Sequence, residues 1–273
     1  MSLLDVANNS QILNELYMEY ALPSITSQGR LTDKLGDVYE AYVMQIFKDK
    51  NTVLSWGNGT IEKDIVDGLF RYLDFTTNDL LTINCSDEGI PPTNNHGMPK
   101  TDVYITCNLV NNSSYLIPLS VKQSTAPKVS FAEYSVADIV QALDIQDPRL
   151  IYLLEKHQCE ASAKNFTRTE RDDLKRLIVP HVDNLIRWCI TLSPNPTHQN
   201  IRHPEYIIKF ALYPKNKPNQ RYCLDTVSIY DVDQYINSIR YNANGILRTG
   251  GFGTGLSWTY ATGSKGRKIQ FKA

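Results

Sequence analysis

Long apolar runs are absent from this 273-residue sequence, and so are closely paired cysteines. No stretch of about 18 apolar residues occurs and the first residues hold no apolar signal core, so we expect neither a membrane span nor a secretory leader. The five cysteines are scattered without a C-x-x-C pair, which predicts reduced thiols and no zinc site. These absences favour a cytoplasmic protein without a membrane partner.

Acidic residues are also absent from the end of the chain, since no Asp or Glu occurs between Arg240 and Ala273. The chain as a whole has 29 acidic and 28 basic residues, but this segment carries only basic charges. They belong to Arg240, Arg248, Lys265, Arg267, Lys268 and Lys272. A positive segment on a near-neutral protein indicates an anionic partner, and its aromatic and glycine residues argue against a solvated, disordered tail.

Hydrophobic periodicity predicts helices at the beginning of the chain. Thr32 is placed to cap a helix whose apolar face runs from Leu35 to Phe47, and residues 60–73 have the pattern of a second helix. A polar loop rich in proline and glycine follows at about 85–100. The N-terminal part, residues 1–75, is therefore expected to be helical.

The pattern changes from helical to alternating after this loop. Two β-rich runs, 103–110 and 115–122, are separated by Asn111-Asn112-Ser113-Ser114, a composition typical of a hairpin turn. Farther along we predict a helix from Ser135 to Ile145, a second from the Thr167-x-x-Glu170 capping box to about Ile178, and a third over 182–189. Two strands are predicted after these helices, at 206–213 and 222–230, and a short helix follows at 231–240. Together these elements predict an α/β (α+β) fold with a mixed central β-sheet flanked by helices.

The predicted hairpin brings an acid and a lysine together. With 111–114 at the turn, position 102 falls opposite about 123, which places Asp102 beside Lys122. Asp102 is a suitable ligand for Mg²⁺, and the backbone carbonyl of Val121 can supply a second oxygen. Bound Mg²⁺ would activate a water and polarise a phosphate, and Lys122 can orient that water or stabilise the developing charge. The arrangement suits phosphodiester hydrolysis, although an ordinary cross-strand Asp–Lys pair has the same pattern.

Pro99-Lys100-Thr101-Asp102 before one strand and Ser120-Val121-Lys122 on the next resemble the signature of the PD-(D/E)XK nuclease superfamily. Within it the chain is similar to type II restriction endonucleases, from Leu31 to the C-terminus. The likeness is also carried by Leu35-Gly36-Asp37-Val38-Tyr39-Glu40, the segment 129–134, Arg187-Trp188-Cys189, the segment 251–260 and Gln270-Phe271-Lys272. It implies a restriction-endonuclease-like core and a single endonuclease domain, 1–273, with a catalytic hairpin at 99–123 and a basic DNA-reading segment at 240–273.

The resemblance also implies roles for particular side chains. Asp102 is the implied metal-binding aspartate, and Lys122 is the implied catalytic lysine. Ser120 stands where most of the superfamily has Asp or Glu, and a hydroxyl is a poorer Mg²⁺ ligand than a carboxylate. Glu40 on the early helix is a candidate compensating carboxylate, and a solvent-facing helix residue is the alternative that stays open.

Base-reading groups are implied in two segments. The first follows the catalytic strand and contains Ser124, Lys128, Ser130 and Glu133. The second is C-terminal and contains Thr259, Thr262, Ser264, Gln270 and Lys272. Phosphate contacts are expected from Lys265, Arg267 and Lys268, and Arg248 is a further DNA-binding cation.

Some residues of these two segments are also suited to purely structural roles. Ser130 is also suited to cap a helix or turn, and Glu133 to pair with a lysine. We expect Trp258 and Tyr260 to pack in the core rather than stack on bases. The alternation over 268–272 predicts a strand with Ile269 and Phe271 buried beneath it. The backbone is expected to approach a ligand closely at Gly250, Gly251, Gly253 and Gly255.

These features predict cleavage of double-stranded DNA at a short palindrome. Endonucleases similar to this chain read CCGG, whose guanines offer acceptors to Lys or Arg and whose cytosines offer an amino donor. The resemblance therefore implies a Mg²⁺-dependent type II restriction endonuclease, with a cognate DNA methyltransferase in the same cell. A non-catalytic, sequence-specific DNA-binding protein on a nuclease scaffold is the alternative that Ser120 leaves open, and a repair or recombination nuclease is a third.

Overall fold

A computed structural model of the protein describes residues 10–92, 98–126, 128–212 and 224–273. The chain divides into two compact units. The first consists of Met1–Pro127 and Thr197–Asp231, and the second of Lys128–Pro196 and Val232–Ala273. That all 273 residues act as a single endonuclease domain stays a prediction.

Helices and strands follow one another in a mixed order. The helices are α1 (Gln11–Glu19), α2 (Gln28–Ile46), α3 (Lys50–Ser55), α4 (Ile61–Tyr72), α5 (Val136–Ala142), α6 (Pro148–Glu160), α7 (Arg168–Ile178), α8 (Val182–Thr191), α9 (Val232–Arg240) and α10 (Gly250–Gly253). The strands are β1 (Leu80–Ser86), β2 (Val103–Leu109), β3 (Ser114–Ser124), β4 (Ser130–Tyr134), β5 (Tyr206–Leu212), β6 (Leu224–Asp231), β7 (Ser257–Thr259) and β8 (Ile269–Lys272). Among the described residues, no helix is long and apolar enough to cross a membrane.

The first unit contains a mixed sheet with the strand order β1-β2-β3-β5-β6. Strands β3 and β5 are parallel, and the other neighbours are antiparallel. Helix α2 packs its apolar side against this sheet, where the ring of Tyr39 lies 4.6 Å from that of Phe210 on β5. Both side chains are fully buried, and burying one such aromatic side chain stabilises a fold by about 1.5–3 kcal/mol. The predicted α/β fold with a mixed central sheet flanked by helices is confirmed.

Helix α2 begins earlier than the sequence pattern predicted. Its first residue is Gln28 and Ser27 precedes it as the N-cap residue, so Thr32 lies inside the helix and does not cap it. The apolar face extends one turn further back, because Leu31 is buried as well as Leu35. The second helix agrees with its prediction, since α4 starts after Thr60, whose hydroxyl accepts a hydrogen bond from the Lys63 backbone.

The second unit contains an antiparallel sheet with the order β4-β8-β7. The predicted burial of Ile269 and Phe271 on β8 is confirmed, since both are fully buried. The predicted helices at 182–189 and 231–240 are confirmed as α8 and α9, and the predicted helix starts at Ser135 and Thr167 are confirmed by capping boxes. Helix α5 nevertheless ends at Ala142, before the predicted Ile145.

Several elements were missed from the sequence, among them β1, β4, β7 and α6. Strand β1 runs into the segment predicted as a loop at 85–100, and β4 forms where only a cap at Ser130 was considered. Helix α6 was detectable, because its buried residues Leu150, Leu153, Leu154 and His157 have helical spacing and Asp147 caps it ahead of a proline. Strands β5 and β6 confirm the predictions at 206–213 and 222–230, whose residues 213, 222 and 223 lie outside the described residues.

Candidate active site

The β2–β3 hairpin is confirmed, but its register differs from the predicted one. Val103 pairs with Leu119, and the Asp102 backbone N–H donates to the Leu119 carbonyl at 2.9 Å. Asp102 therefore lies beside Ser120, and the predicted alignment of position 102 with about 123 is wrong by three residues. The turn lies closer to β2 than expected, because β2 ends at Leu109 and Ser114 already belongs to β3, where it pairs with Asn108.

One carboxylate oxygen collects three hydrogen bonds at the open end of this hairpin. Oδ2 of Asp102 accepts from the Ser120 hydroxyl at 2.9 Å, from the Val121 N–H at 2.7 Å and from the Lys122 ammonium at 2.9 Å. Oδ1 of Asp102 accepts no hydrogen bond from a described residue. The three donors hold the carboxylate in one orientation and leave its second oxygen available to a ligand.

Ser120 and Lys122 differ in burial although they share a strand face. Ser120 is buried, with its hydroxyl turned to Asp102, whereas Asp102 and Lys122 remain partly exposed, with 21% and 24% of their side chains accessible. The Lys122 ammonium also donates to the Val121 carbonyl at 3.2 Å. Partial exposure lets Asp102 and Lys122 reach a ligand. Ser120, on the buried side of the site, orients the Asp102 carboxylate through its hydrogen bond.

Glu40 on α2 belongs to the same electrostatic site. Burial raises the pKa of Glu40 to about 7, the Asp102 carboxylate adds to the rise, and the Lys122 ammonium opposes it. The end of β3 is tied to this helix, because the Gln123 side chain donates to the Thr32 carbonyl at 3.1 Å. Half-burial of Glu40 disfavours the alternative of a freely solvated helix residue.

The donor set of this site fits a hard divalent cation. Asp102 Oδ1, the Val121 carbonyl and the Glu40 carboxylate are all oxygen donors, and Mg²⁺ prefers one or two carboxylates together with several waters. Within the described part of the chain, no cluster of three or more His, Cys, Asp or Glu side chains is suited to hold a metal. Such a donor-poor arrangement is compatible with Mg²⁺ and unsuited to a structural zinc ion.

Glu40 provides a pH-dependent prediction for the metal-free protein. The pKa of Glu40 is about 7 in the folded protein and 4.5 ordinarily, so the folded state binds the proton more tightly than the unfolded state does. The free energy of unfolding therefore decreases as the pH rises from about 4.5 to 7. Glu40→Gln should therefore raise the melting temperature by about 5 °C at pH 8 and hardly change it at pH 4.5. The measurement is thermal unfolding in EDTA, with the exposed Glu19→Gln as the control. Equal melting temperatures for Glu40→Gln and wild type at pH 8 would contradict the assigned environment.

Several of the predicted DNA-reading residues share one face of the β4-β8-β7 sheet. Glu133 pairs with Gln270 and Gln270 with Thr259, so these three side chains form a row across the strands. Lys272 lies between Ser130 and Ser257 in a second row. Ile269 and Phe271 alternate with them and point to the buried side. The result is one polar sheet face assembled from the two implied reading segments.

The alternatives considered for this face have mixed outcomes. Ser130 is the first residue of β4 and not a cap of a helix or turn. Glu133 makes no ion pair with any described lysine. The Thr259 hydroxyl donates to the Gln270 carbonyl at 3.1 Å and to its side-chain oxygen at 3.2 Å, which fixes the orientation of the amide. Because the side-chain oxygen of Gln270 accepts from Thr259, its amide nitrogen remains the group that can donate to a ligand.

The remaining predicted contacts lie in loops or, for Ser124, at the end of β3. Lys128 donates to the Ser257 hydroxyl at 2.6 Å, and the Ser124 hydroxyl donates to the Ala126 carbonyl at 2.8 Å. Exposed side chains in the loop between β7 and β8 belong to Thr262, Lys265, Arg267 and Lys268, whereas Ser264 is half-buried there. Arg248 is exposed as well. Arg240 differs from these cations, because it is buried and paired with Asp183, so the basic segment offers one charge fewer than its sequence shows.

The glycine-rich segment packs closely against the chain itself, a role that the sequence did not predict. A Cβ at Gly251 would lie 1.8 Å from the Leu256 carbonyl oxygen, and a Cβ at Gly255 would lie 2.4 Å from the Ile239 carbonyl oxygen. Both glycines have positive φ. They therefore allow the chain's own close packing, and the close approach of a ligand to this segment stays a prediction.

Trp258 and Tyr260 pack as predicted, around a histidine that the sequence did not single out. The rings of Trp258 and Tyr260 lie 5.0 and 5.7 Å from that of His157. Tyr260 donates to the His157 carbonyl at 2.6 Å and also contacts Nδ1 of the ring. Burial lowers the pKa of His157 to about 4, so the ring is neutral and anchors the C-terminal segment to α6.

Comparisons with known proteins agree over nearly the whole chain. The family model described as Restriction endonuclease MspI matches residues 15–273. The type II restriction enzyme MspI of Moraxella sp is 36% identical over 267 residues, which cover 96% of this chain and 99% of that enzyme. The type II restriction enzyme BsuFI of Bacillus subtilis is 24% identical over 283 residues, covering 95% of this chain and 64% of its own length.

A solved structure gives the same result in three dimensions. The crystal structure of restriction endonuclease MspI in complex with its cognate DNA matches with a TM-score of 0.85 and 37% identity, covering 97% of this chain and 99% of that one. The predicted resemblance to restriction endonucleases is thereby confirmed. The chain belongs to the MspI family of restriction endonucleases, and it is a type II, DNA-cleaving hydrolase.

Proposed function

We propose that this enzyme cleaves double-stranded DNA at CCGG and requires Mg²⁺. The observation that carries the proposal is the 2.9 Å contact between Asp102 Oδ2 and the Lys122 ammonium, beside a carboxylate oxygen without a partner among the described residues. The tetranucleotide rests on similarity to MspI. The interpretation as a non-catalytic DNA-binding protein on a nuclease scaffold is not retained, because the chain belongs to a family of cleaving enzymes.

Asp102, Glu40 and the Val121 carbonyl are the residues that would hold the cation. When bound, Mg²⁺ supplies polarisation of the phosphate and a more acidic water. Ser120 and the Val121 N–H hold the Asp102 carboxylate in place through their hydrogen bonds. In this role Ser120 contributes to the site by orienting the Asp102 carboxylate, without being a metal ligand.

Lys122 acts on the reacting atoms. A water attacks the phosphorus opposite the 3′ oxygen, the bond from phosphorus to that oxygen breaks, and a proton is transferred to the leaving oxygen. The products are a 5′-phosphate and a 3′-hydroxyl. Lys122 orients the water and stabilises the negative charge that grows on the phosphate, because its ammonium is already fixed by Asp102 and the Val121 carbonyl.

Recognition of the bases is assigned to the polar face of the β4-β8-β7 sheet. Lys272 and the Gln270 amide supply donors for the acceptors of guanine, and Glu133 supplies an acceptor for the amino group of cytosine. Ser124, Lys128, Ser130, Thr259, Thr262 and Ser264 complete the proposed set of polar contacts. The exposed cations Arg248, Lys265, Arg267 and Lys268 contact phosphates, which positions the DNA without reading it.

The cellular setting is proposed from the family. We place the enzyme in the cytoplasm, where it meets DNA that enters the cell. A cognate DNA methyltransferase is expected in the same cell, since host DNA containing the same tetranucleotide needs protection. A physical complex between the two proteins is not required.

Plasmid digestion tests the proposed function directly. We expect purified protein with Mg²⁺ to give discrete fragments whose 5′ ends all map to one tetranucleotide, CCGG. A plasmid from which every CCGG has been removed by single-base changes serves as the matched substrate and should stay intact. Fragments ending at unrelated sequences, or full activity in EDTA, would refute the proposal.

A further inference from the structure

Lys209 lies beside the candidate active site, on the strand next to Lys122. It is on β5, where it is the register partner of Lys122 on the parallel strand β3. Register partners on neighbouring strands are about 5 Å apart and project to the same sheet face. On its other side Lys209 pairs with Ser228 of β6. Lys122, Lys209 and Ser228 therefore form a polar row that starts at the proposed catalytic lysine.

The ammonium of Lys209 lacks a counter-ion in the described part of the chain. It makes no ion pair and no hydrogen bond there, whereas Lys122 next to it is paired with Asp102. Lys209 is half-buried, and burial is the sole cause of the lowered pKa of its side chain. The adjoining segment 213–223 also contains no Asp or Glu. A half-buried cation beside a second cation is unfavourable until an anion binds between or above them.

We propose that Lys209 binds a backbone phosphate of the DNA strand next to the scissile phosphate, as a positioning residue for cleavage. The inference rests on the proposed function, which brings a phosphodiester to Lys122. A phosphate compensates the charge that the described residues leave unpaired, and Ser228 offers a neighbouring hydroxyl as a further donor. Such a contact does not depend on the bases, so it holds the strand in register at every sequence.

Metal-free binding measurements test this role. Lys209→Met and the matched surface variant Lys48→Met are titrated against labelled duplexes with and without CCGG, in EDTA, at several salt concentrations. Lys209→Met should bind both duplexes about tenfold more weakly, and the slope of log affinity against log salt should fall by about 0.9. Lys209→Arg should restore both quantities, and Lys48→Met should match wild type.

Stability separates this role from a structural one. Lys209→Met replaces a half-buried cation by an apolar chain of similar length, so its melting temperature without DNA should equal or exceed that of wild type. Lys209→Gln provides the same binding test should the methionine variant fold poorly. An unchanged salt slope in a folded variant overturns the inference, and so does a loss of affinity confined to the CCGG duplex. The binding and stability measurements do not depend on cleavage. A failure of the proposed nuclease function would therefore be detected separately, in the plasmid digestion.

Discussion

Lys122→Ala is expected to lose cleavage by at least about a thousandfold, equivalent to about 4 kcal/mol of transition-state stabilisation. The reason is that its ammonium is held 2.9 Å from Asp102 Oδ2 and is the cation placed to meet charge on the phosphate. Binding should weaken by no more than about tenfold, because a single phosphate contact is lost. Single-turnover cleavage with Mg²⁺ and duplex binding in EDTA measure the two effects.

The same variant also distinguishes catalysis from folding. The Asp102–Lys122 pair is partly exposed, and such pairs contribute about 1 kcal/mol or less to stability. The melting temperature of Lys122→Ala should therefore stay within a few degrees of wild type, like that of the surface control Lys48→Ala. Cleavage by Lys122→Ala at a rate near that of wild type would contradict the assigned role.

Asp102→Asn should remove cleavage to a similar extent at every Mg²⁺ concentration. The amide keeps the shape of the carboxylate and still accepts from Ser120 and Val121, but it lacks the charge that holds a hard cation. Calorimetric titration of divalent cation into the protein–DNA complex should show markedly weaker binding for the variant. Thermal unfolding should be nearly unchanged, because the hydrogen-bonded geometry is preserved.

A second aspartate provides the matched control for this result. Asp33→Asn changes an exposed aspartate of α2 and should leave both the cation affinity and the cleavage rate as in wild type. If Asp102→Asn recovered full activity at high Mg²⁺, Asp102 would be a minor contributor to cation binding. If it bound the cation as tightly as wild type, the assignment of the metal ligand would be wrong.

Local sequence was sufficient to predict the hairpin but not its alignment. The two β-rich runs and the Asn-Ser turn lie close together in the chain, so their pairing needs no distant information. The register depends on the residue at which the strands separate, and here Asn108 and Ser114 still pair. Asp102 and Lys122 met despite the error of three residues, because a lysine side chain is long enough to reach across to the neighbouring strand.

Other parts of the site depend on contacts between distant segments and were not predictable in the same way. Glu40 approaches Asp102 because α2 packs on the sheet. The local sequence around either residue does not predict that the two lie close together. Lys209 lies next to Lys122 through the parallel pairing of β3 and β5, which are separated by much of the second unit. The packing role of the glycine-rich segment was missed for a related reason, since Gly255 packs against the Ile239 carbonyl.

A structure of the protein with a CCGG duplex and Ca²⁺, used in place of Mg²⁺ to hold back cleavage, tests the central claim most directly. We expect a cation about 2.3–2.6 Å from Asp102, and the Lys122 ammonium within hydrogen-bond distance of the scissile phosphate. A cation and a scissile phosphate located away from the β2–β3 hairpin would contradict it.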